Sequence, residues 1–101
     1  LDPQAARGWA NRGNLKTQLG DHAGAIADHL RAVELEPSGD AFIALACARR
    51  GAGDHAGALA DFERGLALQP DDMVGLAGRG IARGKLGDVE GALADLRRAR
   101  T

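Results

Sequence analysis

The chain has 101 residues, 45% of them hydrophobic, and a formal net charge of −1 at pH 7. Its length and composition fit one folded domain and exclude a disordered chain. The near-zero charge provides no field that would attract nucleic acid or an anionic membrane surface, so neither is an expected partner.

Cysteine content and hydropathy point to the compartment. Cys47 is the single cysteine, so an intramolecular disulfide is excluded, and a reducing, cytoplasmic location is predicted. No run of 18 or more apolar residues is present. The first residues also lack a basic region followed by an apolar one, so no signal segment is predicted.

One sequence pattern occurs three times along the chain. It starts at Gly20, Gly53 and Gly87, at steps of 33 and 34 residues, and reads GDHAGAIADHLRAVELEP, GDHAGALADFERGLALQP and GDVEGALADLRRAR. A period of this size with two helical segments per copy predicts stacked helical hairpins.

The predicted repeats form one domain, residues 1–101, and span about 6–38, 39–72 and 73–101. Residues 1–5 are interpreted as the tail of a preceding repeat in a longer array. The reason is that Leu1-Asp2-Pro3 matches the ends of the first two copies, Leu35-Glu36-Pro37 and Leu68-Gln69-Pro70.

Each predicted repeat contains two helices with a short turn between them. The apolar stripe of the first helix is Ala6, Trp9, Ala10, Gly13 and Leu19, and the helix is expected to stop at Gly20. The next residue, Asp21, is expected to cap the second helix, as are Asp54 and Asp88 in the later copies. The second-helix stripes are Ala25, Ile26, Leu30 and Val33, then Ala58, Leu59, Phe62 and Leu66, then Ala92, Leu93 and Leu96. Pro37 and Pro70 end the first two of these helices, and the Gly-Asp link makes each pair antiparallel.

The recurring bulky and small residues resemble the tetratricopeptide repeat family. The bulky ones are Trp9, Phe42 and Leu76; the small ones are Gly13, Ala46 and Gly80, then Ala25, Ala58 and Ala92, then Ala32, Gly65 and Ala99. The resemblance covers essentially the whole chain. It implies an all-α, alpha-alpha superhelix, a right-handed solenoid of three antiparallel helix hairpins in which Trp9, Phe42 and Phe62 are structural.

The resemblance also implies a concave partner-binding face on the first helices. Its positions are Asn11, Asn14, Gln18, Ile43, Cys47, Arg50, Ala77, Ile81 and Lys85, with Arg7, Ala10, Ala44 and Gly78 beside them. Asn11 and Asn14 are expected to hold an extended backbone, with its apolar side chains over Ile43 and Ile81. Family members that grip chaperone carboxylates use Lys, Asn and Arg on this face. Here only Asn14 matches, which disfavours that ligand.

Charged residues occupy positions that the family usually fills with apolar or aromatic ones. These are Arg12 and Arg79, and Lys16, Arg49 and Arg83. Asp28, Asp61 and Asp95 recur in the second helices. We predict that Arg12 pairs with Asp28, and Arg79 with Asp95, in partly buried bidentate ion pairs. The alternative is that they are solvated charges on an outer face.

No feature of the sequence indicates catalysis or a cofactor. Hydrolase, metalloprotease, P-loop and paired-cysteine motifs are absent. His22 and His55 recur in adjacent repeats, too far apart to share a metal ion, and are interpreted as first-turn residues. His29 takes the position of Phe62 and is interpreted as a packed ring. A non-enzymatic interaction scaffold for a protein or peptide is predicted; the alternative is a structural spacer that self-associates through its C-terminal end near Leu93 and Leu96.

Overall fold

The computed structural model describes residues 3–100, and these residues form six α-helices and no strand. The helices are α1 (Pro3–Gln18), α2 (His22–Leu35), α3 (Gly39–Gly51), α4 (His55–Leu68), α5 (Met73–Lys85) and α6 (Val89–Arg100). They pack as three successive pairs, α1 with α2, α3 with α4 and α5 with α6. The predicted all-α architecture of stacked hairpins is therefore confirmed.

The turn inside each pair has the same geometry three times. Gly20, Gly53 and Gly87 have φ angles of 83°, 87° and 94°, a left-handed conformation that costs glycine little because it has no Cβ. The backbone N–H of Asp21 then donates to the carbonyl of Lys16 at 2.9 Å and closes the end of α1. The chain reverses direction within these few residues.

Polar side chains start most of the helices. The carboxylate of Asp21 accepts the backbone N–H of Gly24 at 3.0 Å, and Asp54 and Asp88 do the same for α4 and α6. The three predicted N-caps are thus confirmed. Ser38 and Asp72 cap α3 and α5 in the same way, at 3.1 and 2.9 Å, and were not identified from the sequence.

The helices form an inner and an outer layer. The inner helices contact in sequence, α1 with α3 and α3 with α5. In the part of the chain that is described, the outer helices α2 and α4 make no close backbone contact, and neither do α4 and α6. Because the outer helices are spread apart and the inner ones lie together, the stack curves, with α1, α3 and α5 on its concave side.

Small residues let the inner and outer layers approach closely. Phe62 on α4 is fully buried with Ile43, Ala46 and Ala58. A Cβ on Gly78 would collide with the Phe62 ring, so this glycine lets α5 lie directly against the ring. Gly78 therefore serves the packing of α5 on α4.

Two expectations about the first helix differ from the structure. Residues 3–5, predicted as the tail of a preceding repeat, are the first residues of α1; a proline is tolerated there because the N–H it lacks would have no partner. Leu1 and Asp2 of that predicted tail, and Thr101, lie outside the described residues. Leu19 is 75% exposed and not part of the apolar stripe, because α1 has ended at Gln18.

Candidate functional site

An open groove runs along the concave side between the inner helices. Its first half, about 480 Å³, lies between α1 and α3, and its second half, about 280 Å³, continues between α3 and the start of α5. Asn14, Asp40 and Ala44 line both halves and join them. We call the two halves together the inner groove. Its other lining residues are Gln4, Ala6, Arg7, Ala10, Thr17, Ala32, Glu36, Ser38, Ala41, Ile43, Cys47, Ala48, Asp72 and Val74.

Three of the nine residues predicted for the partner-binding face line the inner groove, namely Asn14, Ile43 and Cys47. Asn14 is exposed at the middle of the groove. Ile43 is only 6% exposed, so it forms the floor and is not a projecting anchor. Its side chain occupies the space left by Gly65 and Gly75, where an added Cβ would press on Ile43. The expected apolar contact over Ile43 is therefore limited to the edge of this side chain.

Asn11 and Gln18 are exposed on α1 but do not belong to the wall of the groove. With 100° per residue, they lie about 60° and 40° to one side of Asn14, whereas Thr17 and Ala10 lie at about the same angles on the other side. Thr17 and Ala10 line the groove. The side of α1 that faces α3 thus forms the wall, and the two predicted amides are on its far side.

The remaining predicted residues lie outside the inner groove. Ile81, 41% exposed, and Lys85 follow Val74 on the same side of α5 but further along the helix. Arg50 lies over the Phe62 ring, 5.9 Å from its centre. Ala77 packs beside buried Leu76 and lines a different groove, between α5 and α6.

Two carboxylates were missed in the sequence reading of the groove. Asp40 and Asp72 both line its second half. With the nitrogen of its amide facing them, Gln69 donates to Oδ1 of Asp40 at 3.1 Å and to Oδ2 of Asp72 at 3.0 Å. Asp72 precedes α5 and Asp40 lies in the first turn of α3. Aspartates at helix starts are expected as caps, so only the three-dimensional packing shows that both face one groove.

Cys47 is a groove residue without nucleophilic character. It is a free cysteine that packs against the core cluster of Phe62 and Ile43. Burial raises the pKa of its thiol, although Arg50 nearby acts in the opposite direction. A thiol with a raised pKa stays protonated at neutral pH, which agrees with its interpretation as a small groove-facing side chain.

Both predicted ion pairs are present between the two helices of a pair. Nε and Nη2 of Arg12 donate to the carboxylate of Asp28 at 2.8 and 2.9 Å. The same two atoms of Arg79 donate to Asp95 at 2.9 and 2.7 Å. The bidentate geometry is therefore confirmed, and the carboxylates are buried while Arg12 remains more than half exposed.

Each of these carboxylates has a second cation that the sequence reading did not assign to it. Nζ of Lys16 lies 3.1 Å from Asp28, and Nη1 of Arg83 lies 2.8 Å from Asp95. The hydrogen bonds from Arg12 are the main reason that the pKa of Asp28 is lowered to about 2. The guanidinium of Arg12 also lies 4.8 Å from the centre of the Trp9 ring, within the range of a cation–π interaction.

The second repeat departs from this arrangement. Buried Leu45 takes the place of Arg12 and Arg79, and the cations near Asp61 are Arg49 and the exposed Arg64, whose Nη1 lies 3.6 Å from Oδ1 of Asp61. Nε of Arg49 lies 2.8 Å from Oδ2 of Asp61, without the alignment of a hydrogen bond. Burial therefore raises the pKa of Asp61, the opposite of Asp28, and outweighs the attraction of Arg49.

The three histidines occupy the positions predicted for them, two in the first turns of helices and one as a packed ring. His22 and His55 are the first residues of α2 and α4. His29 is almost fully buried, and a Cβ on Gly13 would lie 2.7 Å from its Nε2, so the ring packs directly against α1. Burial lowers the pKa of His29. Within residues 3–100, no three His, Cys, Asp or Glu side chains are grouped to hold a metal ion.

A second, apolar groove lies between α5 and α6, and we call it the end groove. Its volume is about 540 Å³, and it is lined by Met73, Ala77, Leu93, Leu96, Arg97, Ala99 and Arg100. Met73, Leu93 and Leu96 are exposed there. Leu93 and Leu96 were predicted on the apolar stripe of α6; Leu96 packs against Gly80 of α5, but both leucines keep exposed surface. None of the described helices is both long and apolar enough to cross a membrane.

Comparison with known proteins relates this geometry to solved structures. Residues 6–38 match the family model described as tetratricopeptide repeat, and no curated protein sequence matches the chain. The first TPR of Spaghetti (RPAP3), bound to HSP90 peptide SRMEEVD, has a TM-score of 0.93 and 25% identity, covering 98% of this chain and 79% of its own. MamA has a TM-score of 0.88 and 22% identity, covering 99% and 59%. The Arabidopsis OM64 TPR domain has a TM-score of 0.93 and 20% identity, covering 96% and 81%.

Proposed function

We propose that the chain, whose residues 6–38 match the tetratricopeptide repeat model, is a non-enzymatic scaffold that binds a peptide segment or protein partner in the inner groove. The observation that carries the proposal is the groove itself. It is open along the concave side, has an apolar floor at Ile43 and Ala44, and presents the exposed amide of Asn14 at its centre. Such a surface suits an extended segment whose backbone bonds to the amide.

A similar fold with a bound peptide supports this class of function. The RPAP3 domain, 25% identical, was solved with the HSP90 peptide SRMEEVD. For this chain the partner is proposed only as a peptide or protein, because the basic residues that the family uses to grip such a carboxylate are absent.

Filling the groove tests the proposal. Ala44 lines both halves, so Ala44→Gln should block an arrayed library of peptides of about eight residues from binding to the purified chain. Ala60→Gln on the exposed side of α4 is the matched control, since it makes the same change outside the groove. Circular dichroism verifies that both variants are folded. Equal binding by the two variants would remove the inner groove as the site.

A second candidate function rests on the end groove. Its exposed leucines, Leu93 and Leu96, form an apolar surface with Met73, and such a surface is typical of an interface. The chain would then act as a spacer or self-association module. Leu93→Lys should dissociate any oligomer that light scattering detects in the unmodified chain. A monomer at every concentration tested would exclude self-association of the chain alone.

A further inference from the structure

We propose that the inner groove selects segments that carry a positively charged side chain, lysine or arginine, and that this side chain sits against the carboxylates of Asp40 and Asp72. The inference rests on the proposed function, because it names the chemistry of the partner in the same groove. Its basis is charge complementarity between these two residues and the occupant of the groove.

The first observation is the position of the two carboxylates. Asp40 and Asp72 come from two different inner elements and meet at the groove wall beside Val74 and Ala44. The nitrogen of Gln69 donates to both, at 3.1 and 3.0 Å, which fixes them close to each other. One neutral amide orients these carboxylates but leaves two negative charges on the wall.

The second observation is that no basic residue of the described chain neutralises the carboxylates of Asp40 and Asp72. Across residues 3–100, neither Asp40 nor Asp72 forms an ion pair, whereas the buried Asp28, Asp61 and Asp95 all do. Among the basic residues beside the groove, Arg50 lies over the Phe62 ring, and Arg7 lines the first half together with Asp40, but in the described part of the chain neither arginine forms an ion pair with Asp40 or Asp72. A cation from a partner would complete the pairing that the chain does not supply.

The rest of the groove suits the stem of such a side chain. Ile43, Ala44 and Val74 give an apolar floor and flank next to the carboxylates. Lysine and arginine place their methylene groups on apolar surface while the charged end reaches a polar group. An acidic segment meets two like charges at the same place, and like-charge juxtaposition opposes binding. The selected partner is thus opposite in charge to the SRMEEVD peptide of the RPAP3 domain.

Three matched peptide pools test this selection. Each pool has blocked ends, about eight residues and random apolar or small residues around one fixed position, which holds Lys, Gln or Glu. Binding is followed by fluorescence polarisation and by amide chemical shifts of Asn14 and Ala44. We expect the Lys pool to bind at least about tenfold more tightly than the Glu pool, a difference of about 1.4 kcal/mol, with the Gln pool between them.

Variants assign the selection to the two carboxylates. Asp40→Asn with Asp72→Asn removes both charges, and asparagine retains the α5 cap because it is as good an N-cap as aspartate. The pools should then bind alike. Asp21→Asn with Asp88→Asn is the matched control, because it makes the same charge change at two N-caps that do not line the groove, and it should keep the preference for Lys.

Each other outcome overturns a defined part of the proposal. Equal binding of the three pools in the groove of the unmodified chain would refute charge selection and leave peptide binding intact. A preference for Lys that persists in Asp40→Asn with Asp72→Asn would refute the assignment to these residues. If no pool shifts the amides of Asn14 and Ala44, the proposed function fails together with this inference.

Discussion

Asp28 accepts two parallel hydrogen bonds from Arg12, at 2.8 and 2.9 Å, although only 3% of the Asp28 side chain is exposed. Lys16 adds a third contact at 3.1 Å. Arg79, Arg83 and Asp95 repeat this arrangement in the third pair of helices. Two of the three hairpins therefore contain a buried carboxylate that accepts two hydrogen bonds from one arginine and contacts a second cation from the same inner helix, at positions where the family resemblance implies apolar and aromatic packing.

The first prediction compares two buried aspartates with different surroundings. Asp28→Asn should lower the free energy of unfolding by about 2 kcal/mol, because it removes charge-assisted hydrogen bonds from Arg12 and Lys16. Asp61→Asn should cost less than about 1 kcal/mol, because burial already disfavours its charged form and Arg49 is poorly aligned with it. Urea unfolding of both variants measures the difference. Equal losses would contradict it.

The contributions of Asp28 and Asp61 to the stability of the fold depend on pH in opposite directions. The pKa of Asp28 is lowered from 3.8 to about 2, so its contribution to stability is complete above about pH 4 and is lost as the pH falls from 3.8 to 2. The pKa of Asp61 is raised, so its unfavourable contribution is present at neutral pH and disappears on acidification. The stability gap between the unmodified chain and Asp28→Asn should therefore narrow below pH 4.

The second prediction concerns the buried ring of His29. Burial lowers its folded pKa below the ordinary value near 6.5, so its folded form resists protonation. Stability is then complete above about pH 6.5 and falls as the pH drops below that value towards the folded pKa. His29→Leu should flatten the unfolding free energy between pH 5 and 7, because leucine, found at the equivalent Leu96, does not titrate.

His55→Gln serves as the control for this experiment. His55 is the first residue of α4 and is less buried than His29. This variant should retain the fall in stability between pH 6.5 and 5. If the unfolding free energy of His29→Leu falls between pH 6.5 and 5 as much as that of the unmodified chain, the His29 ring is not the source of the pH dependence.

The fold could be predicted from the sequence because its signals are local. Gly20 adopts a left-handed φ that a side chain disfavours, and Asp21 caps the next helix with its own carboxylate, so both act within a few residues. The two bidentate ion pairs could also be predicted from the sequence. Arg12 and Asp28, and Arg79 and Asp95, share one spacing within the repeat, and antiparallel helices bring such positions together.

The candidate site was predicted less well because its wall depends on contacts between repeats. Transferring the groove positions from the family assumes that each residue has the usual neighbours. Ile43 does not, since Gly65 and Gly75 leave space into which its side chain packs. The meeting of Asp40 with Asp72 through Gln69 likewise depends on how α3 and α5 are placed, which no repeat-internal spacing specifies.

The third prediction compares two glycines of the same helix. Gly78→Ala should destabilise the chain by about 1–3 kcal/mol, because its Cβ collides with the rigid Phe62 ring and forces α5 away from the core. Gly84→Ala should stabilise it by about 1 kcal/mol, since its Cβ makes an ordinary contact at 3.6 Å with Ala92 and alanine favours the helix. Thermal and urea unfolding measure both. If both substitutions changed the stability in the same direction, contact with the Phe62 ring would not be what distinguishes Gly78 from Gly84.

The fourth prediction is that the amide protons of α5 exchange faster than those of the other internal helices, α2 to α4. Gly75, Gly78, Gly80 and Gly84 lie in this one helix, and each costs about 1 kcal/mol relative to alanine in a helix interior. The helix therefore depends on contacts supplied by its neighbours, such as Leu66 and Phe62, and opens locally at low cost. Hydrogen exchange followed by NMR measures this, and Gly84→Ala should slow exchange across α5 while leaving α1 unchanged. Slower exchange in α5 than in α2, the internal helix of the first repeat, would contradict the prediction, because it would mean that contacts from neighbouring helices outweigh the glycine content.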